Sequence, residues 1–240
     1  MTEKIPPTTV EIFRDVDAHR DIPLESVYAA IEYVGEIAGK LTVINDSHRI
    51  RLGKPTYPMC VMERVRWPKF EAQMNLVLTE RTIVSSATSQ NAEKEAAITQ
   101  LPRILGIANF SSFWRPTSKD VAIVDVASTP NVKEVMTHEI GHLFGLSRKN
   151  RAVSADGGTH CPDPTCVMKP DTGLRIAHEK VHKRGVSGIL ERIGIAAPEY
   201  VPRYVDEITP FCADCTEELG RTAMMRSLAR QGRTVPQFLL

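Results

Sequence analysis

The stretch that decides the fold is residues 135–145, which read Val-Met-Thr-His-Glu-Ile-Gly-His-Leu-Phe-Gly. Its histidines, His138 and His142, are four residues apart, so a helix places both rings on one face. Their ring nitrogens can then meet one metal ion about 2.1 Å from each. Glu139 lies beside them and can reach a metal-bound water as a general base. Because the rest of the stretch is uncharged, it indicates a buried zinc-binding helix; the alternative is a structural helix with two incidental histidines.

Four of the five cysteines fall into two close pairs, Cys161 with Cys166 and Cys212 with Cys215. The sequence has no apolar leader at its start and no run of 18 apolar residues, so the expected location is the cytoplasm, where thiols stay reduced. There, paired cysteines favour a tetrahedral thiolate site for a structural zinc over two disulfides or free thiols. Cys60 has no partner left and is expected to be a small buried hydrophobe.

Length and composition bound the remaining possibilities. A chain of 240 residues fits one domain and can bury a sizeable core without disulfides. Its apolar content of 42% and charged content of 25% are ordinary for a globular protein. A formal net charge of +1 indicates neither nucleic acid nor an acidic membrane as a partner.

The order of the predicted elements suggests two lobes around a cleft. Residues 1–22 are aperiodic and contain prolines, so they are expected to form a mobile N-terminal arm or an edge segment. Helices are predicted over 23–39, 92–103, 130–146, 174–184, 187–195 and 217–230, and strands over 41–44, 74–78, 104–110 and 121–127. Because strands precede the key helix and loop composition follows it, we expect an α+β N-terminal lobe over 23–147 and a small irregular C-terminal lobe over 148–240, together one catalytic domain.

A second match to the five-residue histidine pattern, residues 178–182, must be weighed. It reads His-Glu-Lys-Val-His, and Lys183 and Arg184 follow it directly. A cationic run beside a dication is unfavourable, so this segment is expected to be a solvated amphipathic helix.

The combination of motifs resembles one family, the archaemetzincins, which are metzincin zinc metallopeptidases. The similarity covers roughly residues 72–220. Four segments carry it: His138 to Gly145, His160-Cys161, Cys166-Val167-Met168, and Phe211-Cys212-Ala213-Asp214-Cys215. The resemblance implies a metzincin-like zincin fold. Its mixed sheet and active-site helix would form the N-terminal lobe, and a structural zinc would stabilise the small irregular C-terminal lobe.

The resemblance also implies two zinc ions per chain. A catalytic zinc would be held by His138, His142 and His160, with Glu139 as the general base. Met168 would be the Met-turn residue, an apolar floor beneath that metal. A structural zinc would be held by the cysteine pairs, which are Cys161, Cys166, Cys212 and Cys215.

Two departures from the family pattern lie close to this site. In metzincins a glycine corresponding to Gly145 is followed three residues later by the third histidine, but here that position is Arg148. His160 is the next candidate, after a 12-residue insertion over 148–159. The alternatives are no third protein ligand, or a substitute from Asp156, His178 and His182. The gap between Met168 and Cys212 is also longer than in the family, so the 174–195 segment is expected to be an extra element on the cleft rim.

The expected function is hydrolysis of peptide bonds in a peptide or protein substrate, with an aminopeptidase-like preference suggested by the resemblance. The substrate is expected to lie along an exposed edge strand, for which residues 121–127 are the candidate. One alternative is a zinc protein without catalysis that uses the cleft to bind a partner, which Arg148 favours. Another is a metal-dependent hydrolase of a non-peptide amide.

Overall fold

The computed structural model describes residues 7–17, 24–52, 59–60, 71–84, 103–104, 106–109, 120–127, 129, 131–146, 160–169 and 209–235. Several predictions fall outside these residues: the helices over 174–184 and 187–195, most of the helix over 92–103, the second histidine match at 178–182, Arg148 and Asp156. Of Cys60 only the backbone is described, in a short strand.

A five-stranded mixed sheet forms the centre of the fold. Its strands are β1 (Thr8–Asp15), β2 (Leu41–Ile50), β4 (Met74–Thr79), β7 (Gly106–Asn109) and β8 (Asp120–Asp125). They lie in the order β2, β1, β4, β8, β7. Four strands run parallel, and only β7 is antiparallel, to β8. A smaller sheet contains β3 (Met59–Cys60), β5 (Thr82–Val84) and β6 (Arg103–Ile104). The predicted α+β class with a mixed sheet is confirmed.

The expectation of an N-terminal arm over residues 1–22 is wrong for β1, which lies inside the sheet between β2 and β4. Polar residues within this strand hide its apolar pattern. The buried Glu11 carboxylate, for example, accepts the backbone N–H groups of Glu71 and Ala72 at 3.0 and 3.1 Å. A buried carboxylate is tolerated there because the chain leading into β4 satisfies it, a partnership across 60 residues that no local pattern reveals.

The predicted edge strand over residues 121–127 is also wrong in its position. The strand exists as β8, but it lies between β4 and β7 and all six of its residues are buried. The edge beside it is β7, whose residues pair antiparallel with β8, from Gly106 opposite Val124 to Asn109 opposite Val121. Strand β2 extends further than predicted, to Ile50.

Three helices are found among the described residues: α1 (Leu24–Ala38), α2 (Val132–Leu143) and α3 (Ala213–Arg230). Each overlaps a predicted helix. Helix α1 buries Val27, Ile31 and Val34, as the spacing predicted, whereas Ile37 is only partly buried. None of the helices described is long and apolar enough to cross a membrane.

Helix α3 begins at Ala213, four residues earlier than predicted, and packs against the first part of the chain. It contacts α1, and its Arg226 donates to the Asp120 carboxylate at 2.8 Å, at the start of β8. Both side chains of this ion pair are buried, at 6% and 5% exposure. The boundary at residue 147 between two lobes stays a prediction.

Candidate metal centre

Helix α2 carries the two histidines of the deciding stretch. The helix begins after Asn131, whose side chain accepts the Glu134 N–H at 3.0 Å and so caps the first turn. It packs against α1, β7 and β8, which buries nearly every residue from Val132 to Leu143. The helix therefore holds its polar side chains in a buried environment, as the uncharged flanking residues predicted.

Gly145 ends this helix in the left-handed region, with φ +91°. The Gly145 N–H donates to the His142 carbonyl at 2.9 Å, and the Leu146 N–H donates to the Gly141 carbonyl at 3.2 Å. These two bonds form a Schellman motif, which a residue without Cβ adopts at least cost. The predicted sharp turn after the histidine pair is confirmed.

The structure brings three imidazole rings together. The ring centroids of His138, His142 and His160 lie 4.6, 5.2 and 5.1 Å apart, and one nitrogen from each ring lies within 4.8 Å of the others. Nε2 of His138 and Nε2 of His142 are 2.9 Å apart. Two imidazoles on one tetrahedral zinc have nitrogens about 3.4 Å apart, so small ring movements would bring this pair onto a shared ion. His160 thus returns to the pair after the insertion.

A backbone carbonyl orients the first of these rings. Nδ1 of His138 lies 2.7 Å from the carbonyl oxygen of Val167. Because a carbonyl can only accept, the His138 Nδ1 carries the proton, and in the neutral ring Nε2 is left with the lone pair that a metal needs. Such an outer partner is typical of metal-binding histidines.

Glu139 is buried beside the histidine group, with 5% of its surface exposed. Burial raises the pKa of its carboxyl group to about 8. A cation nearby would act in the opposite direction, because it favours the ionised carboxylate. The side chain passes over β7: a Cβ built on Gly106 would lie 2.4 Å from Oε1 of Glu139 and 2.7 Å from its Cγ.

Met168 lies against the same helix. A Cβ built on Gly141 would lie 2.6 Å from the Met168 Sδ, so the glycine between the histidines leaves room for the methionine. Met168 is fully buried. Its sulfur therefore lies against the helix turn that joins His138 to His142, on which the predicted Met-turn role depends.

The four paired cysteines form a second cluster, with their sulfur atoms within 4.8 Å of one another. The Cys161 and Cys212 sulfurs are 3.6 Å apart, and the Cys166 and Cys215 sulfurs are 3.5 Å apart. A disulfide requires about 2.05 Å, whereas two thiolates on one tetrahedral zinc lie about 3.8 Å apart. All four are free cysteines, so the structure favours the metal site over two disulfides.

The electrostatics of the cluster also suit a cation. The hydrogen bond between the Cys166 and Cys215 thiols lowers the pKa of Cys166 to about 5. The backbone N–H groups of Cys212 and Met168 donate to the Cys166 sulfur at 3.3 and 3.4 Å and lower its pKa further. Burial raises the pKa of Cys161 to about 11. Because a coordinating thiol loses its proton to the metal, a dication here would make Cys161 a thiolate at neutral pH.

One ten-residue segment, residues 160–169, supplies both clusters. It carries one imidazole, two thiols, the carbonyl that orients His138, and Met168. Its ends are tied by the Cys161 N–H, which donates to the Met168 carbonyl at 2.7 Å. The Val167 N–H donates to the Pro210 carbonyl at 2.9 Å, close to the second cysteine pair.

The structure thus brings the seven predicted metal ligands into two groups, with Glu139 and Met168 beside the histidine group, and the roles of all nine residues stay predictions. Sequence reasoning missed Gly106, the Val167 carbonyl and the reason for Gly141. A glycine inside a strand often marks a close approach, and that signal was present at Gly106. Nothing in the sequence indicated the Val167 carbonyl.

Comparisons with known proteins bear on the fold. The sequence matches no protein-family model and no curated protein. Among solved structures, it is similar to an archaemetzincin from Methanopyrus kandleri, with 19% identity, a TM-score of 0.52 and coverage of 90% of this chain and 96% of that one. An archaemetzincin from Archaeoglobus fulgidus, complexed with malonate, has 12% identity, a TM-score of 0.43 and coverage of 87% and 98%. Metalloproteinase-II from Bacteroides fragilis has 14% identity, a TM-score of 0.43 and coverage of 92% and 55%. The likeness to the first of these, over nearly the whole length of both chains, shows that this chain has the archaemetzincin fold.

Proposed function

We propose that this chain is a zinc-dependent metallopeptidase. The observation that carries the proposal is the convergence of three imidazoles beside one buried carboxylate, next to the edge of a sheet. Three histidines and an open position are typical of catalytic rather than structural zinc. The fold that this chain shares with an archaemetzincin supports the same assignment.

His138, His142 and His160 would hold the zinc, which when bound acidifies a water and polarises the scissile carbonyl. Glu139 would accept a proton from the attacking water at a carboxylate oxygen and pass it to the leaving amine. The Val167 carbonyl keeps His138 in the tautomer whose Nε2 faces the site.

We propose that the substrate lies along β7 rather than β8. Strand β7 ends the sheet, and among the described residues only its β8 side is paired. An extended peptide adding to the outer side of β7 would bond through its main chain. Because Gly106 of this strand lies against Glu139, a peptide bound there would pass close to the proposed base.

The second zinc belongs to the thiolate cluster. Cys161, Cys166, Cys212 and Cys215 form a closed set of four soft donors with no position left for substrate, so this ion would be structural. It would join residues 160–169 to the start of α3. Reduced thiols at this cluster suit a reducing compartment such as the cytoplasm.

A peptide-cleavage assay on the zinc-loaded protein tests the proposal. We expect about two zinc ions per chain and cleavage of a mixed pool of quenched fluorescent peptides. Glu139→Gln is expected to keep both zinc ions and to lose about 10²- to 10⁴-fold in kcat. Glu25→Gln, an exposed glutamate in α1, is the matched control and should behave as wild type.

The outcomes separate the candidate functions. Cleavage that survives Glu139→Gln unchanged would contradict the role of the base. A protein that binds zinc at both clusters and cleaves no peptide in the pool would contradict the peptidase and leave two candidates: a zinc protein that binds a partner without catalysis, or a hydrolase of a non-peptide amide. Parallel substrates with free and acetylated N-termini test the aminopeptidase-like preference, which only the free amines would satisfy.

A further inference from the structure

Gly106 and Glu139 approach each other more closely than any residue with a side chain at position 106 would allow. The nearest atoms to a Cβ on Gly106 would be three atoms of Glu139: Oε1 at 2.4 Å, Cγ at 2.7 Å and Cδ at 2.8 Å. Ordinary contacts to a Cβ begin at about 3.4 Å. The Glu139 carboxyl group therefore occupies the space that a methyl group would take.

The backbone of Gly106 does not explain the glycine. The glycines with positive φ among the described residues are Gly39, Gly145 and Gly232, so the conformation at Gly106 is open to alanine. Two residues further along the same face of β7, Ala108 packs its side chain against the core. A Cβ is thus accepted on this face of the strand except where Glu139 crosses it.

The backbone positions of both residues are fixed by their surroundings, so only the Glu139 side chain can move. Gly106 is held by antiparallel pairing opposite Val124, which is fully buried. Glu139 starts from a buried turn of α2, and its Cγ is involved in the contact as well as its tip. An added methyl group would therefore be accommodated mainly by rotation of the Glu139 side chain, moving its carboxyl group by about 1 Å or more from the observed position.

We propose that Gly106 is a positioning residue that sets the location of the Glu139 carboxyl group relative to the edge strand. This inference rests on the proposed function and deepens it. The bare Cα of Gly106 is the surface on which the base rests, while the outer side of the same strand would align the peptide. One strand thus fixes both the base and the bond to be cleaved, and the distance between them is set by backbone rather than by flexible side chains.

The test is a set of four proteins: wild type, Gly106→Ala, Glu139→Ala and the double variant. For Gly106→Ala we expect unchanged zinc content, a KM within twofold of wild type and a kcat lower by about 10- to 100-fold, since a displacement of about 1 Å can cost that much. Truncating Glu139 removes all three clashing atoms. We therefore expect Gly106→Ala to lower the melting temperature in the wild-type background but not in the Glu139→Ala background.

The readouts distinguish a positioning role from a structural one. If Gly106→Ala lowers the melting temperature equally in both backgrounds, or leaves kcat unchanged, the proposal is overturned. If Gly106→Ala fails to fold while the double variant folds, the contact between positions 106 and 139 is confirmed. If both fail to fold, the proposal is overturned. If wild type with both zinc ions bound cleaves no peptide, the proposed function fails and the catalytic role of Gly106 fails with it. The melting-temperature cycle would still report the contact itself.

Discussion

Replacing Gly141 by alanine tests whether the space between the two histidines is reserved for Met168. The added Cβ would lie 2.6 Å from the Met168 Sδ and 3.3 Å from atoms of both Leu146 and Phe211. Met168 and Leu146 are fully buried and Phe211 is 6% exposed, so none of them can swing into solvent. We therefore expect overpacking to outweigh the usual benefit of alanine in a helix.

The expected change in the free energy of unfolding is the sum of two opposed contributions. Overpacking a close-packed core costs about 1–3 kcal/mol. Replacing a helical glycine by alanine gains about 1 kcal/mol. Gly220 in α3 is the matched control, because the nearest atom to its added Cβ is the Ile37 carbonyl oxygen at 3.8 Å and only the favourable term applies. The two variants should therefore differ by about 1–3 kcal/mol in the free energy of unfolding.

Thermal unfolding followed by circular dichroism, with zinc and with a chelator, measures this difference. For a chain of this size 1 kcal/mol corresponds to about 2–4 °C in Tm. Gly220→Ala should melt above wild type, and Gly141→Ala should melt below the control by about 2–12 °C. If Gly141→Ala is as stable as Gly220→Ala, the reasoning about Met168 is refuted.

Three further predictions follow from other contacts. Arg226→Met leaves the buried Asp120 carboxylate without its 2.8 Å partner, so we expect a loss of about 3–5 kcal/mol in denaturant unfolding, and a loss under 1 kcal/mol would contradict this. Asn131→Ala removes the cap that accepts the Glu134 N–H, so we expect about 1 kcal/mol of destabilisation; Asn131→Asp, which can still cap the helix, should lose much less. Cys215→Ser removes one donor of the cysteine cluster, so we expect metal analysis to find about one zinc fewer per chain. Because residues 160–169 supply ligands to both clusters, we also expect chelator competition to show weaker zinc binding at the histidine group. Undiminished zinc affinity at the histidine group would disprove this coupling between the two clusters.

Much of the candidate site could be predicted because its chemistry depends on short spacings. Two histidines at i and i+4 share a helix face whatever surrounds the helix, and the glycine after them ends it for a local steric reason. The third histidine is harder to predict, because residues 148–159 separate His160 from the pair. Loop closure depends only weakly on loop length, so the length of this insertion neither excludes His160 nor selects it. The resemblance to archaemetzincins, rather than spacing, indicated how these segments combine.

The errors arose where distant segments decide the outcome. The sequence does not reveal the first strand, because the partners of its buried Glu11 lie 60 and 61 residues away. The position of β8 inside the sheet is equally hidden, because strand order depends on pairing and nothing within residues 120–125 shows that β7 pairs with them.

The sequence by itself determined the donor types, their local spacing and the helix that carries two of them, because these depend on bonds within a few residues. Only the tertiary structure decided that Gly106 supports Glu139, that the Val167 carbonyl orients His138, and that β7 forms the edge of the sheet. These relations depend on contacts between segments far apart in the chain, which form only when the sheet and α2 pack together.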